Sequence, residues 1–410
     1  MKRLFLACVC AFVAAVAAQA QTMKIHMSNL TVAVPAAEAG EMTFADGQTL
    51  SIAGVDYAIE DIDSITISPE TLTPRSVELV WSENDVFVTV TADIVEKLEG
   101  EIEDSHVSFI ADSLYQEEIT YILSGTSTNG SFTMDGEFKS TVILNNLTLT
   151  NPNGPAIDIE NGKRIAVNIP TGTTTTLSDG AGLLHKACFF INGHAEFSGG
   201  GTLNLVGNSR HAYASDEYTT LEADFGAINV TSAVSDGLHI EQYFKMKGGT
   251  VNISGTAGDG IDVSITKDPA DTNNGQAFIS GGSLTINVAA EDVKGLKCDS
   301  MMTISGGTIQ MTVSGNGSKG ISTGTDLVIS QPGETPTSVN MTVTGTTYMP
   351  GDAVLESKCR GIKVKGNFTF DGGDIRISAT GEKSKAISVD GDYTYVSGTL
   401  NCAVDAANTI

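Results

Sequence analysis

The segment Asp236-Gly237-Leu238-His239-Ile240 returns 23 residues later as Asp259-Gly260-Ile261-Asp262-Val263. A chain that repeats itself at so short a period buries its apolar residues mainly against its own neighbouring copies. The small residue of the motif recurs at Ala156, Ala187, Ala212, Gly237, Gly260, Gly295, Gly320, Gly361 and Ala386. Four of the eight spacings are 25 residues and one is 23; those of 31, 35 and 41 carry insertions. An apolar residue follows at the next position, usually with another two further on, as in Leu238 and Ile240 or Ile261 and Val263. Alternation within each run and the longer period between runs predict stacked parallel strands, with Gly or Ala where a Cβ would crowd the next copy. With Gly-Gly pairs such as Gly248-Gly249 and Gly306-Gly307 read as further corners, each repeat is expected to hold three strands and three corners. The predicted fold is all-β, a right-handed parallel β-helix (solenoid) of at least nine coils preceded by a small β-rich N-terminal module.

The first 20 residues have the form of an export signal. Lys2 and Arg3 precede an apolar run from Leu4 to Ala18, and Ala18-Gln19-Ala20 is a small-x-small cleavage site, so the mature chain is expected to begin at Gln21. A secreted, periplasmic or cell-surface location follows. Cys8 invites a lipid anchor, but only about four apolar residues precede it, against the ~7 to 15 that a signal core needs. No second stretch is long enough to span a membrane. Residues 21–75 read as a leader module and a candidate docking surface for other surface proteins. Residues 76–150 read as an N-terminal cap with the first irregular coils, and 151–410 as the regular repeats. Cys188 and Cys298 fall four repeats apart, near 19 Å at ~4.8 Å per strand, too far for a disulfide. They are expected to be free buried thiols.

A net charge of −26 argues against nucleic acid, whose phosphates need a basic face. The charges that remain are sorted. The position before each corner reads Lys186, His211, Asp236, Asp259, Lys294, Lys319, Arg360, Lys385, and the position two after it includes His239, Asp262, Lys297, Ser322 and Lys363. Stacking places equivalent residues about 4.8 Å apart. Carboxylates so close either raise one another's pKa or hold a cation. Asp236, Asp259 and Asp262, with Glu241, are therefore candidate ligands for Ca²⁺, which favours oxygen donors. Lys294, Lys297, Lys319, Arg360, Lys363 and Lys385, with His239 beside them, are candidate contacts for an extended anionic polymer; the alternative is a solvated face balanced by Glu291, Asp292 and Asp299.

The coils from Asp236 to Val263, with Lys294-Gly295-Leu296-Lys297, Ser318-Lys319-Gly320-Ile321-Ser322 and Arg360-Gly361-Ile362-Lys363 and their I-S-G-G-type turns, resemble the family of secreted bacterial β-helical carbohydrate-binding domains, itself similar in shape to polysaccharide lyases. The resemblance implies a calcium-containing fold that binds plant-type polysaccharide. The expected function is thus non-catalytic binding of an acidic or plant cell-wall polysaccharide with calcium. With Trp81 the sole tryptophan, charge and hydrogen bonding would outweigh ring stacking. One alternative is a calcium-dependent pectate-type lyase using Lys294, Lys297 or Arg360 as base. Another is a structural surface or adhesin protein. The ladder spacing of Asp236 and Asp259 fits a glycosidase pair only because any ladder would.

Overall fold

The alternation of the sequence becomes an alternation of burial. Leu238 and Ile240 lie inside while His239 and Glu241 face outward, and the pattern repeats in Ala195 and Phe197, Leu203 and Leu205, and Val251 and Ile253. Most of the inward side chains, from Val77 to Ala386, form one continuous core. Each fully buried Leu, Ile or Phe contributes roughly 1.5–3 kcal/mol. The computed structural model describes residues 21–404 apart from positions 41, 46, 113, 350 and 352–354. The expected export signal and Cys8 lie outside the described residues.

The chain is all-β, but the expected right-handed β-helix of three-stranded coils does not hold. The strands form a 21-stranded sheet, a 12-stranded sheet and a 3-stranded sheet. Within the largest, ten parallel strands pair in a closed circuit. From Ser140–Asn151 one lane runs through Arg164–Asn168, His194–Ser198, Thr219–Leu221 and Tyr243–Met246 to Gln276–Val288. The other returns through Thr250–Ile253, Ala227–Ala233, Thr202–Gly207 and Thr174–Asp179. Further strands extend this barrel-like circuit at both ends. The physical reason lies in the Gly-Gly pairs. Gly281-Gly282 and Gly306-Gly307 sit inside the single strands Gln276–Val288 and Met302–Val313. Gly282 and Gly307 take positive φ, 82° and 88°, so the ladder absorbs the bend as a register shift and the strand continues.

The N-terminal strands are also tied into this sheet. Thr22–Met27 pairs antiparallel with Leu30–Pro35 and Ser64–Ser68, and Leu30–Pro35 runs parallel to Asp85–Thr91. Met23, Ile25, Val32, Leu50 and Tyr57 form a second, smaller cluster there.

The 12-stranded sheet carries the repeat motif, and its strands from His106–Ala111 to Lys385–Val389 are all parallel. Its corner glycines follow the crowding argument. A Cβ on Gly237, Gly260, Gly295, Gly320 or Gly361 would lie 2.5–2.8 Å from the carbonyl oxygen of the next repeat. Cys188, Cys298 and Cys359 are buried free thiols, and Cys402 is exposed.

Candidate functional site

Backbone register fixes the outward columns of the 12-stranded sheet. His239 lies opposite Asp262, Asp262 opposite Lys297, Lys297 opposite Ser322, and Ser322 opposite Lys363. In the column before the corner, Lys294, Lys319, Arg360 and Lys385 are successive partners.

Where the columns meet, charged groups form a chain. His211 Nδ1 is 3.1 Å and His239 Nδ1 3.2 Å from Asp236 Oδ2. His239 Nδ1 is also 3.3 Å from Asp262 Oδ2. Lys297 Nζ donates to Asp262 Oδ1 at 2.7 Å and lies 3.2 Å from Asp299. The two imidazoles stack with centroids 4.4 Å apart. Burial alone would raise the Asp236 carboxyl, but hydrogen bonds from His211 and His239 outweigh it and hold that carboxyl well below the usual range. Burial opposes the charge on His239, yet the carboxylates of Asp236 and Asp262 override it and push the imidazole up to about 9. Burial likewise opposes the charge on Lys297, and Asp262 more than compensates, so its ammonium holds its proton tightly. His211 differs. It is more deeply buried, burial lowers its pKa, and its Nε2 has no hydrogen-bond partner among the described residues.

The four proposed metal ligands do not converge as an oxygen cage. Asp236 Oδ1 accepts from the Asp259 backbone N–H at 2.7 Å, and Asp259 Oδ1 from that of Lys294 at 2.7 Å. Asp262 is taken by His239 and Lys297. Burial raises Asp259 to about 6, with Lys294 partly offsetting it. Burial, then Asp216, raises Glu241. A Ca²⁺ ion would have to displace an ammonium and an imidazolium, so the donor set does not suit it. His211, Asp236 and His239 do bring donor atoms within 4.8 Å of one another, a mixed nitrogen and oxygen set of the kind transition metals prefer. Their rings are only 19° from parallel, however, so no ion can lie in both ring planes where the nitrogen lone pairs point.

The cations are similarly engaged. Lys294 Nζ donates to the Asp292 carbonyl. Lys319 Nζ binds Asp292 Oδ1, the Gly317 carbonyl and Ser357 Oγ at 3.0, 2.6 and 2.7 Å. Lys363 pairs with Asp390. Arg360 is buried, its guanidinium donating to the carbonyls of Cys359 and Lys383 at 2.6 and 3.2 Å. Lys385 lies partly exposed at the last strand.

Sequence reasoning set His211 in its column but gave it no role, and it missed the residues at the far end of the sheet. The His239 column continues upstream through Ala214, Phe190 and Asp158. The same register arithmetic, carried three repeats further, would have reached Asp158.

A family model described as carbohydrate-binding domain-containing protein matches residues 114–406. The chain belongs to that family. The match includes the whole of the sheet from Ser131–Asp135 onward and with it both charged columns. No curated protein matches the chain. Among solved structures, the polysaccharide lyase-like protein from C. thermocellum, as a gadolinium derivative, is 21% identical with a TM-score of 0.51, covering 62% of this chain and 96% of that one. Family membership supports a polysaccharide partner, and the structural likeness extends to the fold. Among the described residues no helix is long and apolar enough to cross a membrane.

Proposed function

We propose that this member of the carbohydrate-binding family is an exported protein that binds an anionic polysaccharide across the outward face of its 12-stranded sheet, without cleaving it. The observation that carries the reading is the register itself. Lys294, Lys319, Arg360 and Lys385 stand side by side in one column, and Lys297 and Lys363 flank Ser322 in the adjacent one. Arg360, being buried, braces the corner by holding two carbonyls; the partly exposed lysines, with His239, are the groups that would meet the ligand. Their partners Asp292, Asp299 and Asp390 lie within reach of the same ammonium groups, so a uronate carboxylate would compete for donors that are already oriented. A lyase would need a base that gives up its proton near neutral pH. Lys297 holds its proton too tightly, Arg360 is a buried guanidinium, and the Lys294 ammonium is held by the Asp292 carbonyl.

The test is calorimetric titration with polygalacturonate, in Ca²⁺ and then in EDTA, while following ultraviolet absorbance from unsaturated products. The expected result is binding that EDTA leaves unchanged, no rise in absorbance, and a several-fold loss of affinity in both Lys297→Ala and Lys363→Ala. EDTA-sensitive binding would restore a calcium role, and rising absorbance would move the protein to the lyases. Absence of binding would leave the sheet as scaffold.

A further inference from the structure

The upstream end of the His239 column opens into a cleft of about 510 Å³, lined among others by Asp158, Glu160, Leu184, Lys186, Phe190 and Arg210. That volume lies in the range that holds a small ligand. Asp158 stands four register steps from Asp262 through Phe190, Ala214 and His239, or roughly 19 Å along the sheet. A glycan lying across these strands would therefore pass from the lysines to the cleft.

The lining has an unequal balance of committed and uncommitted groups. Lys186 is tied to Asp216 and lies over the Phe190 ring, 4.4 Å from its centroid. His185 contacts Asp179 at 2.6 Å. Asp158 is half-buried, yet its carboxylate has neither a hydrogen bond nor an ion pair among the described residues. Glu160 and Arg210 are exposed, and Leu184 is fully exposed to solvent. Two carboxylates thus share the lining with one uncommitted guanidinium, so the cleft offers an excess of acceptors to the hydroxyl groups of a ligand.

We propose that the cleft is a subsite for a neutral pyranose unit of the bound glycan, with adjacent hydroxyls donating to Asp158 and Glu160, its C–H face against Leu184, and Arg210 closing the rim. The proposal rests on the polysaccharide-binding reading and adds a second kind of sugar to it, so the ligand carries neutral as well as acidic units. Burial and then Glu160 push Asp158 up to about 6, with His185 and Lys186 pulling the other way. An ionised carboxylate is the better acceptor, so a neutral sugar binds more weakly as the pH falls through that value, whereas a uronate would bind more tightly.

Cellobiose, galactobiose and mannobiose are titrated into the full chain on either side of pH 6. At least one is expected to bind at millimolar concentration, more weakly on the acid side, with Asp158→Asn costing about tenfold and removing the pH dependence. A pH dependence that survives in Asp158→Asn overturns the role given to Asp158. Leu184→Ala, which touches no core, should weaken binding without lowering the melting temperature. The subsite is overturned if none of the three disaccharides binds or if Asp158→Asn binds as the parent does. Disaccharide binding by a protein that ignores polygalacturonate would keep the subsite and reject the lysine columns instead.

Discussion

His239 is the residue on which the charged chain turns. It is protonated at neutral pH because two carboxylates, Asp236 and Asp262, share its Nδ1 proton, and that charge has a consequence for stability. A histidine whose pKa rises from 6.5 unfolded to about 9 folded stabilises the fold fully below pH ~6.5 and loses that contribution as the pH climbs through 9. The effect is on the order of 3 kcal/mol, most of it shared with the two aspartates. Thermal melts between pH 6 and 10 should show a falling melting temperature across this window, and His239→Gln should flatten the fall while lowering stability at pH 6. A parent protein whose melting temperature holds steady to pH 10 would mean that the imidazole is not charged in the fold. Asp236 acts in the opposite direction. Its depressed pKa gives stability that is present above the ordinary carboxylate range and is lost as the medium becomes acid.

Between elements, the decisive contact is the approach of one corner to the next. A Cβ on Gly260 would come within 2.5 Å of the Gly295 carbonyl oxygen, a backbone atom that cannot rotate aside. Gly260→Ala should therefore cost about 1–3 kcal/mol, read as a drop in the denaturant midpoint at unchanged slope. Ala386 already carries a methyl at the equivalent position of the last strand, and Ala386→Gly should change the midpoint much less. This element was legible because close approach selects for the absence of a side chain, and that absence shows in the sequence at Gly237, Gly260, Gly295, Gly320 and Gly361. The column register was legible for the same reason, since corners that must stack fix every residue that follows. The sheet assignment was not. Gly281-Gly282 allows either a corner or a bulge, and only the neighbouring ladder decides that Gln276–Val288 runs straight through. Nor could the pairing of His211 and His239 with Asp236 be read from spacing. Asp before Gly looked like a metal ligand or a turn residue, and the imidazoles that occupy it come from the preceding strand and from the far side of its own corner.

At the scale of the whole molecule, two electrostatic effects of different range oppose each other. The chain carries a net charge of −26, with 17 acidic and 3 basic residues in positions 21–104 alone, so its distant field repels an anionic polymer. The lysine columns attract the same polymer at contact. At 0.01 M salt the Debye length is about 30 Å, and repulsion from the full surface reaches the ligand; near 0.1 M it shrinks to about 10 Å, leaving the lysine contacts while silencing most of the rest. Affinity for polygalacturonate should therefore rise from low salt to a maximum at intermediate ionic strength and fall beyond it, as the contacts themselves are screened. Binding of a neutral disaccharide in the Asp158 cleft, which involves no net charge on the ligand, should stay nearly flat over the same series. Titrations from 0.01 to 1 M salt separate the two sites on one protein. A monotonic fall for polygalacturonate would mean that the acidic N-terminal region lies too far from the columns to be felt. A flat response for both ligands would remove charge from the recognition altogether.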